Sequence, residues 1–265
     1  EEGLEHRPVQ EISDRIQTST EKDSLASGKL VIESISEDPA AKASFYRQTK
    51  DICRPDAVIA SNTSYLNIFE LAPSAIQKRL LISHFYAPPY LIPLVEIVKG
   101  PDTSNDNVEW MRQLLLKAGQ QPVVMEKFIP GFIVNRLQRA MGREIFHLID
   151  NGYAQPEEID KAVLASLGIR LPVLGAVRRY DFGGLDFARQ VLSNPSIGLV
   201  NEDKPSAFLD DLVAKGRLGL KSGRGVYDYR NSDISDINKK RDRLLIKMRD
   251  LMNEIRETLW KDISE

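Results

Sequence analysis

The chain contains Lys29-Leu30-Val31-Ile32-Glu33-Ser34-Ile35, an apolar run of the kind that forms a buried β-strand. Asp38-Pro39 follows and predicts the start of a helix, because proline is favoured at the first helical position. Ala57-Val58-Ile59-Ala60 is a second apolar run. A strand, a helix and a second strand in this order predict an α/β sheet with helices on its faces.

Three further apolar segments extend this pattern along the chain. They cover residues 79–86, 93–98 and 121–125, and a proline-rich turn separates the first two. Each has the length and composition of a strand. The strand pattern ends near residue 127.

After Gly131 the apolar residues recur three and four apart, which is the spacing of amphipathic helices. The predicted helices cover residues 132–151, 156–167, 182–193, 205–215 and 236–260. The change divides the chain into an α/β domain, residues 1–127, and an all-α domain, residues 128–265. The last helix carries an apolar stripe that includes Leu244 and Met248, and it either packs on its own domain or forms a dimer contact.

The composition limits the classes of partner. The 265 residues include 36 Lys and Arg against 38 Asp and Glu, a net charge of −2, whereas nucleic-acid and membrane-surface binding need a basic excess. We therefore expect neither partner. Cys53 is the only cysteine, so an internal disulfide is excluded. The acidic start and the lack of an apolar run long enough to cross a bilayer favour a cytoplasmic protein.

His84 and Glu96 are the first candidates for chemistry. Glu96 interrupts the apolar run Leu94-Val95-Glu96-Ile97-Val98, and an acid inside such a strand needs a partner to stay ionised. His84 lies near the end of the preceding predicted strand. A histidine beside a buried carboxylate is a base with a fixed tautomer, although a single histidine at a strand end is also common as a structural residue.

Two other polar segments are weaker candidates. Ser61-Asn62-Thr63-Ser64 follows a predicted strand, where open α/β sheets bind ligands, although these residue types are also common in turns. Asn135 stands between apolar Val134 and Leu137 at the predicted domain junction. It is either an ordinary polar helix residue or an amide directed into a cleft.

The order and spacing of these motifs resemble those of the NAD-dependent L-3-hydroxyacyl-CoA dehydrogenase family, over roughly residues 16–230. The motifs are Val31-Ile32-Glu33 with Glu37-Asp38, Ala60-Ser61-Asn62-Thr63-Ser64, His84-Phe85-Tyr86-Ala87-Pro88-Pro89, Leu94-Val95-Glu96-Ile97-Val98, Pro130-Gly131-Phe132-Ile133-Val134-Asn135-Arg136, Gly216-Arg217-Leu218-Gly219 and Gly223-Arg224-Gly225-Val226-Tyr227-Asp228-Tyr229. The resemblance implies a Rossmann-type NAD-binding domain, a helical substrate and dimerisation domain, and a homodimer.

The resemblance also implies roles for the polar candidates. His84 matches the general base that takes the proton of the substrate hydroxyl, and Glu96 matches the acid that orients it. Ser64 and Asn135 match residues that hold the reacting oxygen and the substrate. No metal is expected, because the cofactor carries the hydride chemistry.

The resemblance places the cofactor contacts at four positions. Glu37 and Lys42 match residues that contact NAD, although both residue types are also common at a solvated helix start. Ser64 and Ala87 match positions near the nicotinamide. The family commonly has Asn at the position of Ala87, so this chain lacks a hydrogen-bonding side chain there.

One part of the family's pattern is not in this sequence. The family binds the dinucleotide with a strand, a G-x-G-x-x-G turn and an acid at the end of the second strand, all of which precede the matched motifs. We expect about 30 to 60 residues of a longer parent chain to precede the sequence. The alternative is a protein that does not bind the dinucleotide in the family's way.

We predict that the protein interconverts an L-3-hydroxyacyl-CoA and its 3-oxo form with NAD. Residues 88–96 and the long last helix also resemble the branch that contains λ-crystallin, an L-gulonate 3-dehydrogenase, so a free hydroxy acid is an alternative substrate. Arg170, Arg178 and Arg179 are then candidates for binding its carboxylate. A non-catalytic structural relative is the third possibility.

Overall fold

A computed structural model describes residues 8–201, 203 and 205–260. The chain forms two compact units, Glu1–Arg136 and Leu137–Glu265, which we call the sheet unit and the helical unit. The division lies beyond residue 127, where the sequence pattern changes, because Phe132 is fully buried in the core of the sheet unit.

The sheet unit contains five strands in the spatial order β1 to β5. They are β1 (Leu30–Glu33), β2 (Val58–Ser61), β3 (Leu80–Phe85), β4 (Leu94–Lys99) and β5 (Gln121–Met125). Neighbouring strands are parallel except β3 and β4, which are antiparallel. The sheet confirms the predicted α/β class. β1 ends before Ile35 because the Ile35 N–H donates to the Glu33 carboxylate at 2.8 Å, which turns the chain away from the sheet.

The helices of the sheet unit lie before and between the strands. They are α1 (Val9–Ser13), α2 (Pro39–Ile52), α3 (Ile68–Leu71) and α4 (Asn105–Lys117), with short 3-10 helices at Lys22–Ser27 and Ser74–Arg79. α2 begins at Pro39, as the sequence predicts, and the Asp38 carboxylate accepts the Ala41 N–H at 2.7 Å. This bond satisfies one of the free N–H groups at the helix start.

Two clusters of buried side chains form the core of the sheet unit. Alternate residues of β3 point to opposite faces, so Leu80 and Ile82 lie in one cluster and Leu81 lies in the other. The first cluster also contains Tyr46, Ile59, Ile68, Phe69, Ile76, Val98 and Phe132. The second also contains Val58, Ala60, Val95, Ile97, Val108, Met111 and Leu115. α2 and α3 therefore pack on one face of the sheet, and α4 packs on the other.

The helical unit confirms the predicted all-α domain. Its helices are α5 (Val134–Asp150), which begins in the sheet unit, α6 (Pro156–Ala165), α7 (Leu167–Leu174), α8 (Arg178–Gly183), α9 (Leu185–Leu192), α10 (Ala207–Ala214) and α11 (Ile234–Ile255). A 3-10 helix covers Leu220–Ser222, and a π-helical turn, Arg256–Trp260, follows α11. Isolated β-bridges join Gly219 to Arg224 and Arg224 to Asp228.

Two of the predicted helices differ from the structure at residues whose backbone leaves the helical conformation. The helix predicted over residues 182–193 is interrupted between α8 and α9, where Gly184 has φ of +88°, outside the helical region. The helix predicted from residue 132 begins at Val134, because Phe132 has φ of +52°. α7 lies between the predicted helices, in a segment where the apolar spacing predicts no helix.

The helical unit buries few apolar side chains. Among its described residues, Ile159 and Leu212 are the only buried hydrophobic ones. The last helix contacts α7, yet Leu244 on its apolar stripe remains 64% exposed. None of the helices in residues 8–201, 203 and 205–260 combines the length and the apolar character that crossing a membrane requires.

Gly100, which follows β4, should not tolerate a side chain. It is buried, and a Cβ on Gly100 would lie 2.3 Å from a ring carbon of Phe69. We expect Gly100→Ala to lower the free energy of unfolding by about 1–3 kcal/mol, because overpacking forces neighbours to move. Urea unfolding followed by the fluorescence of Trp110, in α4 of the same unit, measures this change.

Gly28→Ala is the matched control. Gly28 has φ of −71°, and the nearest atom to a Cβ there lies at 3.4 Å, so the substitution is expected to change the free energy of unfolding far less. Equal losses in the two variants would contradict the packing seen at Gly100.

Candidate active site

The antiparallel pairing of β3 and β4 places His84 directly opposite Glu96. The Nδ1 atom of His84 lies 3.1 Å from Oε2 of Glu96. His84 is 5% exposed and Glu96 is fully buried, so the pair is largely removed from solvent. The two residues that the sequence singled out separately are therefore in direct contact.

Glu96 contacts four hydrogen-bond donors. Oε2 accepts the hydroxyl of Tyr86 at 3.0 Å in addition to facing His84. Oε1 accepts the backbone N–H groups of Ile133 at 3.0 Å and Val134 at 3.1 Å, at the start of α5. Burial alone raises the pKa of Glu96, but the bonds from His84, from the two N–H groups and from Tyr86 outweigh it and hold this pKa below its usual value.

This arrangement fixes the state of the imidazole. With Glu96 ionised, Nδ1 of His84 is the protonated ring nitrogen, and Nε2 is left with its lone pair. Within the described part of the chain, Nε2 has no hydrogen-bond partner. Edge-on contacts to Tyr86 at 4.7 Å and Phe132 at 5.3 Å, measured between ring centroids, hold the plane of the ring. Chemically, this arrangement can accept a proton at Nε2 of His84.

Ser64 lies in the turn that follows β2. The Asn62 side chain accepts the N–H of Phe85 at 2.9 Å, which ties the turn to the residue next to His84. Glu37 accepts the Thr63 hydroxyl at 2.6 Å and the Ser64 N–H at 2.7 Å. The turn is therefore fixed from both sides, and Ser64 itself is half-buried.

Asn135 lies in the first turn of α5 and is half-buried. The N–H of the preceding residue, Val134, donates to Glu96 at 3.1 Å, which places Asn135 next to the pair. The structure thus brings Ser64, His84, Glu96 and Asn135 to one edge of the sheet unit. Ala87 follows at the same edge, exposed, with a cis peptide bond to Pro88.

A second buried carboxylate, which the sequence analysis did not select, lies at the end of β1. Glu33 accepts hydrogen bonds from Lys42 at 2.7 Å, Tyr46 at 2.8 Å and Ser61 at 2.6 Å. Its position inside the apolar run that forms β1 is the same signal that identified Glu96. Burial, followed by the negative charges of Glu33 and Glu37, raises the pKa of Tyr46, which therefore remains a donor.

Lys42 joins this second cluster to Glu37. Its Nζ lies 2.7 Å from Oε1 of Glu33 and 3.3 Å from Oε2 of Glu37, and its side chain is 1% exposed. The Glu37 side chain is 26% exposed. Burial tends to raise the pKa of Glu37, but bonds from Thr63, from the Ser64 N–H and from Lys42 keep this pKa below its usual value. Glu37 is thus an ionised carboxylate that a ligand can reach.

The arginine candidates belong to the helical unit. Arg170 is exposed on α7, and Arg179 donates to the Tyr180 hydroxyl at 2.7 Å, both in the helical unit. In residues 8–201, 203 and 205–260 there is no group of three or more His, Cys, Asp or Glu side chains arranged to hold a metal ion.

Both units match models of one protein family. Residues 1–128 match the model described as 3-hydroxyacyl-CoA dehydrogenase, NAD binding domain. Residues 131–229 match the model described as 3-hydroxyacyl-CoA dehydrogenase, C-terminal domain.

Three relatives of this chain are named as different dehydrogenases. The chain is 31% identical over 231 residues to 5-formyl-3-hydroxy-2-methylpyridine 4-carboxylate 5-dehydrogenase of Mesorhizobium japonicum, covering 87% of this chain and 75% of that one. It is 34% identical to a probable 3-hydroxybutyryl-CoA dehydrogenase of Bacillus subtilis, covering 83% and 76%. It is 32% identical to L-carnitine dehydrogenase of Streptomyces griseus, covering 86% and 71%.

Two solved structures of dehydrogenases are similar to this chain over most of its length. The crystal structure of the pyridine carboxylate dehydrogenase, described as an NAD+ dependent dismutase, has a TM-score of 0.80 at 29% identity, covering 87% of this chain and 75% of that one. (S)-3-hydroxybutyryl-CoA dehydrogenase from Ralstonia eutropha has a TM-score of 0.62 at 31% identity, covering 82% and 76%. The resemblance seen in the sequence is confirmed, and the chain belongs to the 3-hydroxyacyl-CoA dehydrogenase family of NAD-dependent oxidoreductases.

Proposed function

We propose that the protein oxidises the hydroxyl of an L-3-hydroxyacyl-CoA to the 3-oxoacyl-CoA, with His84 as the general base. The observation that supports this most directly is the 3.1 Å contact between Nδ1 of His84 and the buried carboxylate of Glu96. Relatives named 3-hydroxybutyryl-CoA dehydrogenase, at 34% identity, support the substrate class.

His84 takes the hydroxyl proton of the substrate at Nε2, because Nδ1 already faces Glu96. Proton uptake turns the ring into an imidazolium, and the negative charge of Glu96 stabilises it. The pair is buried, so this stabilisation is stronger than it would be in water. In the reverse reaction the same nitrogen returns the proton to the alkoxide oxygen. A positioned base of this kind contributes about 10²–10⁴ in rate.

The residues at the ends of β1 and β2 fit the nicotinamide half of NAD. When bound, NAD supplies the acceptor for the hydride that leaves the substrate carbon. The carboxyl ends of parallel strands are where open α/β sheets bind nucleotides. We propose that Glu37, ionised and reachable, accepts a hydroxyl of the cofactor ribose. Lys42 orients Glu37 from the buried side, since its Nζ lies 3.3 Å from the Glu37 carboxylate.

The remaining polar groups complete the site. The hydroxyl of Ser64 and the amide of Asn135 hold the reacting oxygen and the substrate, because both residues lie at the edge where His84 is found. Ala87 adjoins the cofactor with a methyl group only, so it excludes water there without donating a hydrogen bond.

A free hydroxy acid, of which L-gulonate is one, is the second candidate substrate. The observation that favours it is the TM-score of 0.80 with an enzyme whose name specifies a pyridine carboxylate. Faster reduction of acetoacetate than of acetoacetyl-CoA at equal concentration would favour this candidate. A non-catalytic relative would show neither activity and would not bind NADH.

We also propose that the protein is a homodimer formed through the helical unit. α9 leaves four large apolar side chains exposed, with Leu185 at 64%, Phe187 at 61%, Val191 at 40% and Leu192 at 76%. Val177, just before α8, is 79% exposed. Monomeric proteins rarely expose an apolar surface of this extent, and a two-fold symmetric contact with a second copy would cover it.

His84→Gln should abolish most of the turnover with little effect on folding. We expect kcat for NADH-dependent reduction of acetoacetyl-CoA by the full protein to fall about 10²–10⁴-fold, because glutamine does not exchange a proton. Loss of NADH absorbance measures the rate, and circular dichroism checks the fold. His147→Gln, in the helical unit, is the control and should keep the parent rate. Near-normal turnover of His84→Gln would refute the proposed base.

Lys42→Met should reduce both stability and cofactor binding. The variant leaves the buried carboxylate of Glu33 without its cation, a loss of about 3–5 kcal/mol in the free energy of unfolding. It also frees Glu37, so NADH should bind more weakly in a fluorescence titration. Adding Glu33→Gln to Lys42→Met should restore part of the stability, since the uncompensated charge is then removed.

Lys50→Met, on the exposed side of the same helix, is the control for this pair. It should change the free energy of unfolding by less than about 0.5 kcal/mol. A loss in Lys42→Met no greater than that in Lys50→Met would show that the buried ion pair does not stabilise the sheet unit.

Phe187→Lys should weaken the dimer. Placing a charge in an apolar contact leaves it without a partner, so the dissociation constant measured by sedimentation should rise at least about tenfold. Gln190→Lys on the same helix adds the same charge at a polar exposed position and is the control. A parent protein that sediments as a monomer would contradict the proposed dimer.

A further inference from the structure

Tyr86 occupies a position in the site that the proposed reaction does not use. It follows β3, two residues after His84, and is half-buried. Its hydroxyl donates to Oε2 of Glu96 at 3.0 Å, and this is the oxygen that Nδ1 of His84 contacts at 3.1 Å. Tyr86 therefore contacts the acid of the pair at the same oxygen as His84.

Two donors share one carboxylate oxygen in this arrangement. A hydrogen bond from a phenol stabilises the negative charge of the oxygen and makes it a weaker acceptor for another donor. Burial, followed by the negative charge of Glu96, raises the pKa of Tyr86, so the phenol keeps its proton and remains a donor. Oε2 of Glu96 is thus shared between His84 and Tyr86.

Among the direct contacts of His84 in the described residues, one group is charged. Within the described residues, the ion pair and the ring contacts of His84 involve Glu96 of β4, Tyr86 after β3 and Phe132 before α5. Of these groups, Glu96 alone is charged, and Tyr86 is the one other group that titrates. The β2 end contributes the neutral turn of residues 61–64.

We propose that Tyr86 is a positioning residue that weakens the hold of Glu96 on a protonated His84, through the oxygen that the two side chains share. The inference rests on the proposed role of His84 as the base. By taking part of the carboxylate charge, Tyr86 lets the imidazolium give up its proton at lower pH. The ring is then in its base form over a wider range of pH, which favours oxidation of the hydroxyl.

Tyr86→Phe tests the proposal, because it removes the hydroxyl and keeps the aromatic ring against His84. Without the competing donor, Oε2 of Glu96 faces His84 alone and stabilises the imidazolium more strongly. We expect the titration midpoint of the His84 ring protons, followed by NMR in the full protein without added cofactor, to rise by about half to one pH unit. The acid limb of kcat/KM for hydroxyl oxidation should move to higher pH by the same amount.

A purely structural role for Tyr86 would give a different result. It would lower the rate at every pH and weaken the fold, without moving the titration midpoint. Tyr153→Phe removes a hydroxyl from a tyrosine that is 70% exposed in the helical unit, and should leave the midpoint unchanged. An unchanged or lower midpoint in Tyr86→Phe would overturn the proposal.

The test separates this inference from the proposed function. If His84→Gln retains turnover, His84 is not the base and the proposed mechanism fails. The NMR midpoint of His84 still reports whether Tyr86 acts on it, because that measurement does not depend on activity. If His84→Gln is inactive and Tyr86→Phe does not move the midpoint, the proposed function stands and the role of Tyr86 is refuted.

Discussion

The buried carboxylate of Glu96 is the group on which the arrangement of the site depends. An acid in the middle of an apolar strand must be stabilised by donors, and here the donors come from two separate segments of the chain. His84 lies on β3, Tyr86 follows that strand, and two backbone N–H groups lie at the start of α5. Satisfying one carboxylate therefore fixes the ring of the base and the approach of the helix that carries Asn135.

Glu33 has a comparable structural role at the end of β1. Its donors come from α2 and from the end of β2, and Lys42 extends the network to Glu37. Glu37 in turn fixes the turn that carries Ser64. Glu96 thus positions His84, the proposed base. Glu33 positions Lys42 and, through it, Glu37, which are the proposed cofactor contacts. Buried charges of this kind are costly to leave unpaired, so both networks restrict the geometry of the site.

The sequence predicts much of the fold and part of the site. Short apolar runs in the sequence predict the five strands. The acid within one of these runs predicts that Glu96 needs a partner. The same signal at Glu33 could have identified the second network. The register that places His84 opposite Glu96 could not be predicted, because apolar pattern alone does not fix strand pairing. The sequence does not predict the break before α9, because apolar spacing continues across Gly184, whose backbone leaves the helical region.

The central claim is that Glu96 fixes the tautomer of His84 so that Nε2 is the proton acceptor. Nitrogen NMR of the full protein labelled at histidine tests it directly, since the 265 residues contain three histidines and His84→Gln identifies the signals of His84. The account predicts that neutral His84 carries its proton on Nδ1, with Nε2 unprotonated. A proton on Nε2, or a mixture of the two tautomers, would contradict it.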